Sequence, residues 1–568
     1  MADSLGMADS SGMPNQCALG VDFGTNSVRA LIVDTSNGEE VGTFVSPYPS
    51  GKMGIILDEQ DPDLSRQHPA DYVACLSACV NGAIEDAGPD FDPAAIVGIG
   101  IDATGSSPLP MDVHGTPLAL KDEFRNNPAA MTWLWRDHTA HAEASAITEL
   151  AREMRPEYLG KCGGVYSSEW FWAKIWKCSK AAPDVFAAAH TWVEYVDWIP
   201  ALITGTDDPD TMKRGVCAAG HKAMYNESWG GFPDREFIEA LDPALVRVLD
   251  SLPDRCHSIN DTAGHLTEEW AEKLGLPAGI PVAVGAFDAH FGGVGAGVKP
   301  GTLIKILGTA SCDIMTSPLA QDLPDIPGLC GIVPESVLPD NYGLEAGQSG
   351  VGDIYNWFVH VVKPDRLDHV ELTAEAERLR PGQSGLLALD WMNGNRTVLV
   401  DQRLTGMILG LTLQSTPGQI FRSLVEATAF GARIIIDRFA EYDVPVDRVV
   451  NCGGISVKNT MVMQIYADVL NRPMYISRSA QTCALGAAMA GSVVGGAHPD
   501  YPAAGEAMTH VMDRHFEPIP ENVAIFDILF GLYKRLHDAF GIKGGADDLS
   551  DVMKTLLDVR DRANQQAS

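Results

Sequence analysis

Ala18-Leu19-Gly20-Val21-Asp22-Phe23-Gly24-Thr25-Asn26-Ser27-Val28-Arg29-Ala30-Leu31-Ile32-Val33-Asp34 reads as an apolar strand, a tight turn and a second apolar strand. Leu19, Val21 and Phe23 alternate into the turn, and Val28, Ala30 and Ile32 alternate out of it, which is the period-two pattern of a strand pair. The turn, Gly24-Thr25-Asn26-Ser27, holds only small or hydrogen-bonding residues. Such a turn can aim backbone N–H groups and hydroxyls at an anion. Asp22, at the end of the first strand, would repel a bare phosphate. It suits a phosphate bridged by Mg²⁺, because hard cations take carboxylate, water and phosphate oxygens together. The plainer alternative is an ordinary hairpin with an aspartate before its turn, and short motifs do arise by chance. The remainder of the chain decides between the two.

Asn37-Gly38 marks a second tight turn, and 41–45 can form a third strand. Three strands joined by short turns make a meander, not a βαβ unit, which disfavours a Rossmann dinucleotide fold. Residues 69–87 read as a helix, with Tyr72, Leu76, Val80 and Ala83 on one face. Residues 96–101 read as a short buried strand that ends in Asp102-Ala103-Thr104-Gly105-Ser106-Ser107-Pro108. That loop offers the donors and acceptors that sugar hydroxyls need, although Ser/Gly/Pro clusters are more commonly solvated turns. Seven of the eleven tryptophans fall between Trp133 and Trp198. Each reads first as core, but Trp135 is followed directly by Arg136-Asp137-His138, so its ring is the one most open to a ligand. Lys222 sits in Ala218-Ala219-Gly220-His221-Lys222-Ala223-Met224-Tyr225. A lysine in so apolar a setting is either a substrate-facing ammonium or a snorkelling surface residue.

Pro277-Ala278-Gly279-Ile280-Pro281 is a natural punctuation mark. It divides the chain into an extension (1–16), a first domain (17–279) and a second domain (280–568). Past it, 281–285 read as a strand, and Ala286-Phe287-Asp288-Ala289-His290 opens a Gly- and Ala-rich segment. Residues 302–307 form another strand, turning at Gly308-Thr309-Ala310-Ser311 into 312–315. Two hydroxyl-bearing turns facing each other across a cleft could grip a polyphosphate from both sides. Glu345-Ala346-Gly347-Gln348 follows, with small residues that let a carboxylate approach a ligand. Residues 385–391 read as a strand and 417–439 as a long helix. Val449-Val450-Asn451-Cys452 runs as a strand into Gly453-Gly454, and 459–470 form a helix. Residues 484–490 make a small-residue helix suited to close packing, and 525–540 and 552–563 read as amphipathic helices.

The 568 residues are 45% hydrophobic, enough for more than one domain. Lys plus Arg is 41 and Asp plus Glu is 75, a formal net charge of −34. Such an acidic surface argues against nucleic-acid partners and anionic membranes but not against a phosphate in a local pocket. Eleven scattered cysteines without a Cys-x-x-Cys pair suggest reduced thiols and a cytoplasmic protein. No apolar run reaches the length of a transmembrane helix. Residues 1–16 lack a basic start and an apolar centre, so they are expected to be an unstructured extension rather than a secretory leader.

In order, Asp22-Phe23-Gly24-Thr25-Asn26-Ser27, Gly285-Ala286-Phe287-Asp288-Ala289-His290, Gly308-Thr309 and Gly453-Gly454 resemble the phosphate, catalytic and adenosine motifs of the FGGY carbohydrate kinases. Gly100-Ile101-Asp102-Ala103-Thr104-Gly105-Ser106-Ser107-Pro108, Leu134-Trp135-Arg136-Asp137-His138-Thr139-Ala140, 164–176 and Ala219-Gly220-His221-Lys222 are similar to the branch of that family that phosphorylates L-ribulose. The resemblance covers nearly everything after the extension. It implies an α/β fold of two RNase H-like domains of the actin-like ATPase type around a central cleft, each with a mixed five-stranded sheet. It implies ATP and Mg²⁺ as cofactors, L-ribulose as the small-molecule substrate in L-arabinose catabolism, and Asp288 as general base. Implied sugar contacts are Ala103, Lys222, Asp288 and Glu345, with Trp135 as a lid. Gly24, Thr25, Asn26, Arg29, Gly308 and Thr309 would cradle phosphates, Gly453 and Gly454 would border the adenine, and Asp22 would hold Mg²⁺, through water. A homodimer is left open. Val28 and Cys452 depart from residues that several relatives carry, and the second puts the adenine contacts in question. The rivals are a family member acting on D-ribulose or another ketopentose or polyol, an actin-like scaffold that transfers phosphate only to water, and a degenerate homologue. Asp288, Lys222 and Glu345 weigh against the scaffold, which has no need of them.

Overall fold

A computed structural model describes residues 16–363, 366–545 and 552–565. Nearly all of the expected extension, residues 1–15, lies outside the described residues. The opening stretch forms the strands Cys17–Phe23 and Ser27–Asp34, paired antiparallel, and Glu40–Pro47 completes the meander. After helix Pro69–Asp86, the strand Ile96–Ala103 runs parallel to Cys17–Phe23 on its other side. Pro281–Ala283 and Ala286–Phe287 both pair parallel with Ile96–Ala103, and Thr262–His265 closes the edge.

The second half repeats this plan. Thr302–Leu307, Ser311–Pro318 and Asn341–Gln348 form an antiparallel meander. The long helix Pro417–Glu441 leads to Arg448–Cys452, parallel to Thr302–Leu307, and helix Thr460–Leu470 leads to Met474–Ile476. A parallel strand needs such a crossover connection, whereas the meander needs only turns. Gly331–Pro334 adds a sixth strand at the other edge.

Two expectations are corrected. The sheets have seven and six strands rather than five, because short edge strands extend each of them. The division also falls later than 279/280. Pro281–Ala283 and Ala286–Phe287 belong to the first sheet, and the second sheet opens at Thr302. The proline-glycine punctuation is the turn that precedes a strand of the first sheet, not a linker.

Helices Asp288–Gly295 and Thr482–Val494 lie against each other between the two sheets, and the second also packs on Cys17–Phe23 and Ile96–Ala103. Glycines make that approach possible. A Cβ on Gly20 would stand 1.8 Å from the Ala484 carbonyl oxygen, and one on Gly100 would stand 1.9 Å from that of Ala487. Gly100→Ala therefore forces backbone against backbone. It is expected to destabilise by at least the roughly 1–3 kcal/mol of an overpacked core, read as a lower urea midpoint at unchanged m-value. An unchanged midpoint would show that this interface can yield.

A separate apolar cluster gathers Trp133, Trp170, Trp172, Trp176 and Trp192 beside the first sheet. All five are buried, whereas Trp135 stands 40% exposed, as its polar sequel suggested.

Candidate active site

Three aspartates collect at the ends of three adjacent parallel strands. Asp22 and Asp102 are register partners on Cys17–Phe23 and Ile96–Ala103. Asp288 follows directly on Ala286–Phe287, whose partners are Asp102 and Ala103. Asp22 is nearly buried and forms an ion pair with Arg29 at 3.5 Å. Asp102 is fully buried, no N–H or hydroxyl among the described residues donates to its carboxylate, and its side-chain hydrogen bond is with the Asp22 carboxyl. Burial, and then the nearby Asp22 and Asp288 charges, push its carboxyl well above the usual range. Asp288 is half-buried, and its Oδ1 accepts from the Ala289 N–H at 2.7 Å. Desolvation, followed by the Asp22 charge, pushes its pKa up to about 7.

The turn beside Asp22 is held from several sides. The Gly24 N–H donates to Ser27 O, the Gln67 amide to Thr25 O at 2.7 Å, and the Asn26 amide to Met53 O at 2.6 Å. The Trp135 indole N–H donates to Thr25 Oγ1 at 3.1 Å. This single bond brings the exposed tryptophan onto the candidate phosphate turn. Ala103 is wholly buried at its strand end, and the next N–H, that of Thr104, donates to Phe23 O and to the Tyr195 hydroxyl.

A second constellation sits beside the first. Lys222, in the last turn of helix Val216–Lys222, lies 3.4 Å from Glu345 Oε2, and Arg396 pairs with Glu345 Oε1. His221 Nδ1 and His290 Nε2 stand 3.5 and 3.8 Å from the same Oε2, and the two histidines meet at 3.1 Å. Burial alone would raise the Glu345 carboxyl, but Lys222 and Arg396 hold it well below the usual carboxylate range. Burial depresses both histidines, His290 to about 4, so they are neutral at neutral pH. The two histidines and Glu345 are close enough to hold a cation. However, Lys222 and Arg396 already compensate the carboxylate, so the cluster reads as a hydrogen-bonded network. Lys222 and Glu345 come from opposite halves of the chain, and Lys222 and Asp288 sense each other's charge. The lysine is therefore a buried, paired group rather than a snorkelling one.

On the second sheet, Gly308 and Thr309 form the exposed turn after Thr302–Leu307. The Gly352 N–H donates to Gly308 O and the Val351 N–H to Thr309 O. Gly453 adopts φ 93°, and a Cβ there would meet Leu307 O at 2.4 Å, so it abuts the same turn. Nothing lies within 4 Å of a Cβ at Gly454. Gly308, Thr309, Gly453 and Gly454 thus form a group on the second sheet, separate from the aspartates and Thr25 on the first.

Several residues at the site carried no assignment in the sequence. Asp102 lay within a quoted motif, but a buried acid there looks like any loop aspartate. Arg396, His290 and His221 meet Glu345 only through the fold. Lys174, in Phe171-Trp172-Ala173-Lys174-Ile175-Trp176, could have been found by the argument used for Lys222.

Family models for the FGGY carbohydrate kinases match most of the chain, the N-terminal domain over residues 17–295 and the C-terminal domain over 303–494. The chain belongs to the FGGY family of carbohydrate kinases. The kinase is 41% identical over 571 residues to a protein named ribulokinase from Halalkalibacterium halodurans, covering 97% of this chain and 99% of that one. It is 41% identical to another ribulokinase, from Shouchella clausii, over 96% and 98% of the two chains. Among solved structures, the xylulose kinase of Rhodospirillum rubrum superposes with a TM-score of 0.74 at 22% identity, over 92% of this chain and 98% of that one. That likeness bears out the two-domain α/β fold.

Proposed function

We propose that this kinase transfers the γ-phosphoryl group of ATP to the 5-hydroxyl of L-ribulose, giving ADP and L-ribulose 5-phosphate, a cytoplasmic step in L-arabinose catabolism. The observation that carries the reading is that two constellations adjoin, Asp288 of the first sensing the Glu345 and Lys222 charges of the second. One is the strand-end aspartates beside a hydroxyl-rich turn, and the other is a Lys222–Glu345–Arg396 network suited to a polyol. The similarity to proteins named ribulokinase supports the choice of sugar.

Asp288 accepts the proton of the 5-hydroxyl as that oxygen attacks phosphorus; its pKa of about 7 suits a base at neutral pH. Thr25, Asn26, Arg29, Gly24, Gly308 and Thr309 hold phosphate oxygens from the two sheets, and Gly453 and Gly454 leave room for the adenine. Phosphoryl transfer leaves a protein chiefly positioning and charge stabilisation to supply. Asp22 and Asp102, two buried carboxyls with one adjacent guanidinium, fit a divalent cation, and Asp22 would hold Mg²⁺ through water. Mg²⁺ supplies neutralisation of the transferring phosphates when bound. Lys222, Glu345 and the Ala103 backbone bind the sugar, and Trp135 covers it. A pattern of buried charges discriminates between hydroxyl configurations, because a polar group left unpaired is costly.

The test is ADP release with Mg²⁺-ATP against L-ribulose, D-ribulose, D-xylulose, L-xylulose, glycerol and no sugar. L-Ribulose is expected to give the highest kcat/KM over a low background. A preference for another sugar would reassign the substrate, and ADP release indifferent to sugar would overturn the reading.

A further inference from the structure

We propose that Lys174 is a positioning residue. Its buried ammonium locks the sugar-facing loop 102–108 and the Trp135-bearing loop into one relative placement. This inference rests on the sugar-kinase reading for its functional consequence, but not for its structural one.

Lys174 lies in helix Phe171–Ala181 and is fully buried. Its ammonium donates to three backbone carbonyls: Ser106 O at 2.5 Å, Leu134 O at 2.9 Å and Trp133 O at 3.1 Å. An ammonium has three protons, and all three are used. The acceptors come from two loops that are far apart in sequence. One is the loop closing strand Ile96–Ala103, and the other leads directly into Trp135.

The grip on the first loop is double. Ser106 O and Ser107 N belong to one peptide unit. Lys174 holds its carbonyl, and Glu194 Oε2 accepts from its N–H at 2.6 Å. Ser106 adopts φ 57°, a left-handed conformation uncommon for a serine, and two buried ionisable side chains fix the peptide that follows it. On the second loop, the consecutive carbonyls of Trp133 and Leu134 turn toward the ammonium. The Arg66 guanidinium covers the Trp133 ring at 3.5 Å and pairs with Asp137. Trp135 is then the next residue, and its indole donates to Thr25 Oγ1. A continuous path therefore runs from the sugar-facing peptide, through one ammonium, to the Trp135 ring, whereas the turn that the ring touches is also held by Gln67 and by its own Gly24–Ser27 bond.

Core filling does not require this charge. The surroundings are tryptophan-rich, and an unbranched apolar side chain would occupy the same space. Burying an ammonium is costly. Desolvation pulls Lys174 down toward about 7, and the three carbonyls, which only the protonated amine can satisfy together, hold it in the ammonium form. What the amine provides and a methionine cannot is a fixed junction of three carbonyls.

The experiment uses the full chain carrying Lys174→Met. Misplacement of substrate-holding groups by about an ångström can cost 10²-fold. The expected result is a rise in L-ribulose KM of roughly tenfold or more, with ATP KM and kcat each within about threefold. In parallel, amide exchange without substrate should lose protection at 103–108 and 133–136 and keep it in the second sheet. A KM for sugar and a KM for ATP that move together, or unchanged exchange in both loops, would overturn the proposal. If Lys174→Met fails to fold, Glu194→Leu, which removes the acceptor of the Ser107 N–H, provides the second variant. It should raise sugar KM in the same direction and loosen 103–108 alone, and an unaltered KM with unaltered exchange overturns the idea. Wild-type protein that shows no sugar-dependent ADP release would sink the kinase reading, whereas the exchange comparison still judges Lys174 independently.

Discussion

Asp288→Asn is expected to lower kcat by about 10²–10⁴-fold, the usual contribution of a general base, while ATP affinity by calorimetry stays within about twofold. The amide keeps the shape and the hydrogen bond from Ala289 but cannot take a proton. The pH dependence gives an independent check. Asp288 must be ionised to act, and burial raises its pKa to about 7. In the wild type, kcat/KM for sugar should climb with pH below about 7 and level off above it. The residual activity of Asp288→Asn should lack that limb. A variant with near-normal turnover, or one retaining the same acid limb, would remove Asp288 from the role of base.

Glu345→Ala should cost both sugar binding and stability. The carboxylate is buried between Lys222, Arg396 and two histidines. Its removal leaves Lys222 buried without an anion, and breaking a buried pair in this way costs about 3–5 kcal/mol. We expect a clear fall in melting temperature and a sugar KM higher by about 10²-fold, as for a lost charged hydrogen bond in a closed site. The sign of the pH effect follows from its lowered pKa. The carboxylate's contribution is fully present above the unfolded value of about 4.3 and is lost as the pH falls through the lower folded value. The stability gap between wild type and variant should therefore narrow in acid. Equal melting temperatures at neutral pH, together with an unaltered sugar KM, would show that the network does neither job.

The first meander, and the helices that make both long-range crossovers, could be read from local patterns. Alternation around Gly24-Thr25 and Gly308-Thr309, and helical spacing at Pro417–Glu441, are properties of contiguous residues. The domain division could not be read this way. Pro281–Ala283 is a three-residue strand with one register pair to Ile96–Ala103, too short to show a period of its own. Lys222 was found because it sits in a local setting unusual for a charge, and Asp288 because its motif resembles that of a family. Arg396 was not, because its meaning lies in Glu345, 51 residues away along the chain. The His221–His290 contact likewise joins residues 69 positions apart. Asp102 shows the same limit in another form. Its residue type was visible, but its complete burial against the Asp22 carboxyl was not.

The helix Thr482–Val494 has a consequence for how far the two halves are autonomous. By chain order it belongs to the second half, yet its backbone rests on the glycines of the first sheet. A fragment ending at residue 295 would expose the bare groove at Gly20, Gly98 and Gly100, and the complementary fragment would carry a helix with no seat. The helix thus ties the two halves together through the first sheet. What two family models delimit as separate segments is joined by packing, through the last helix that the second of them contains.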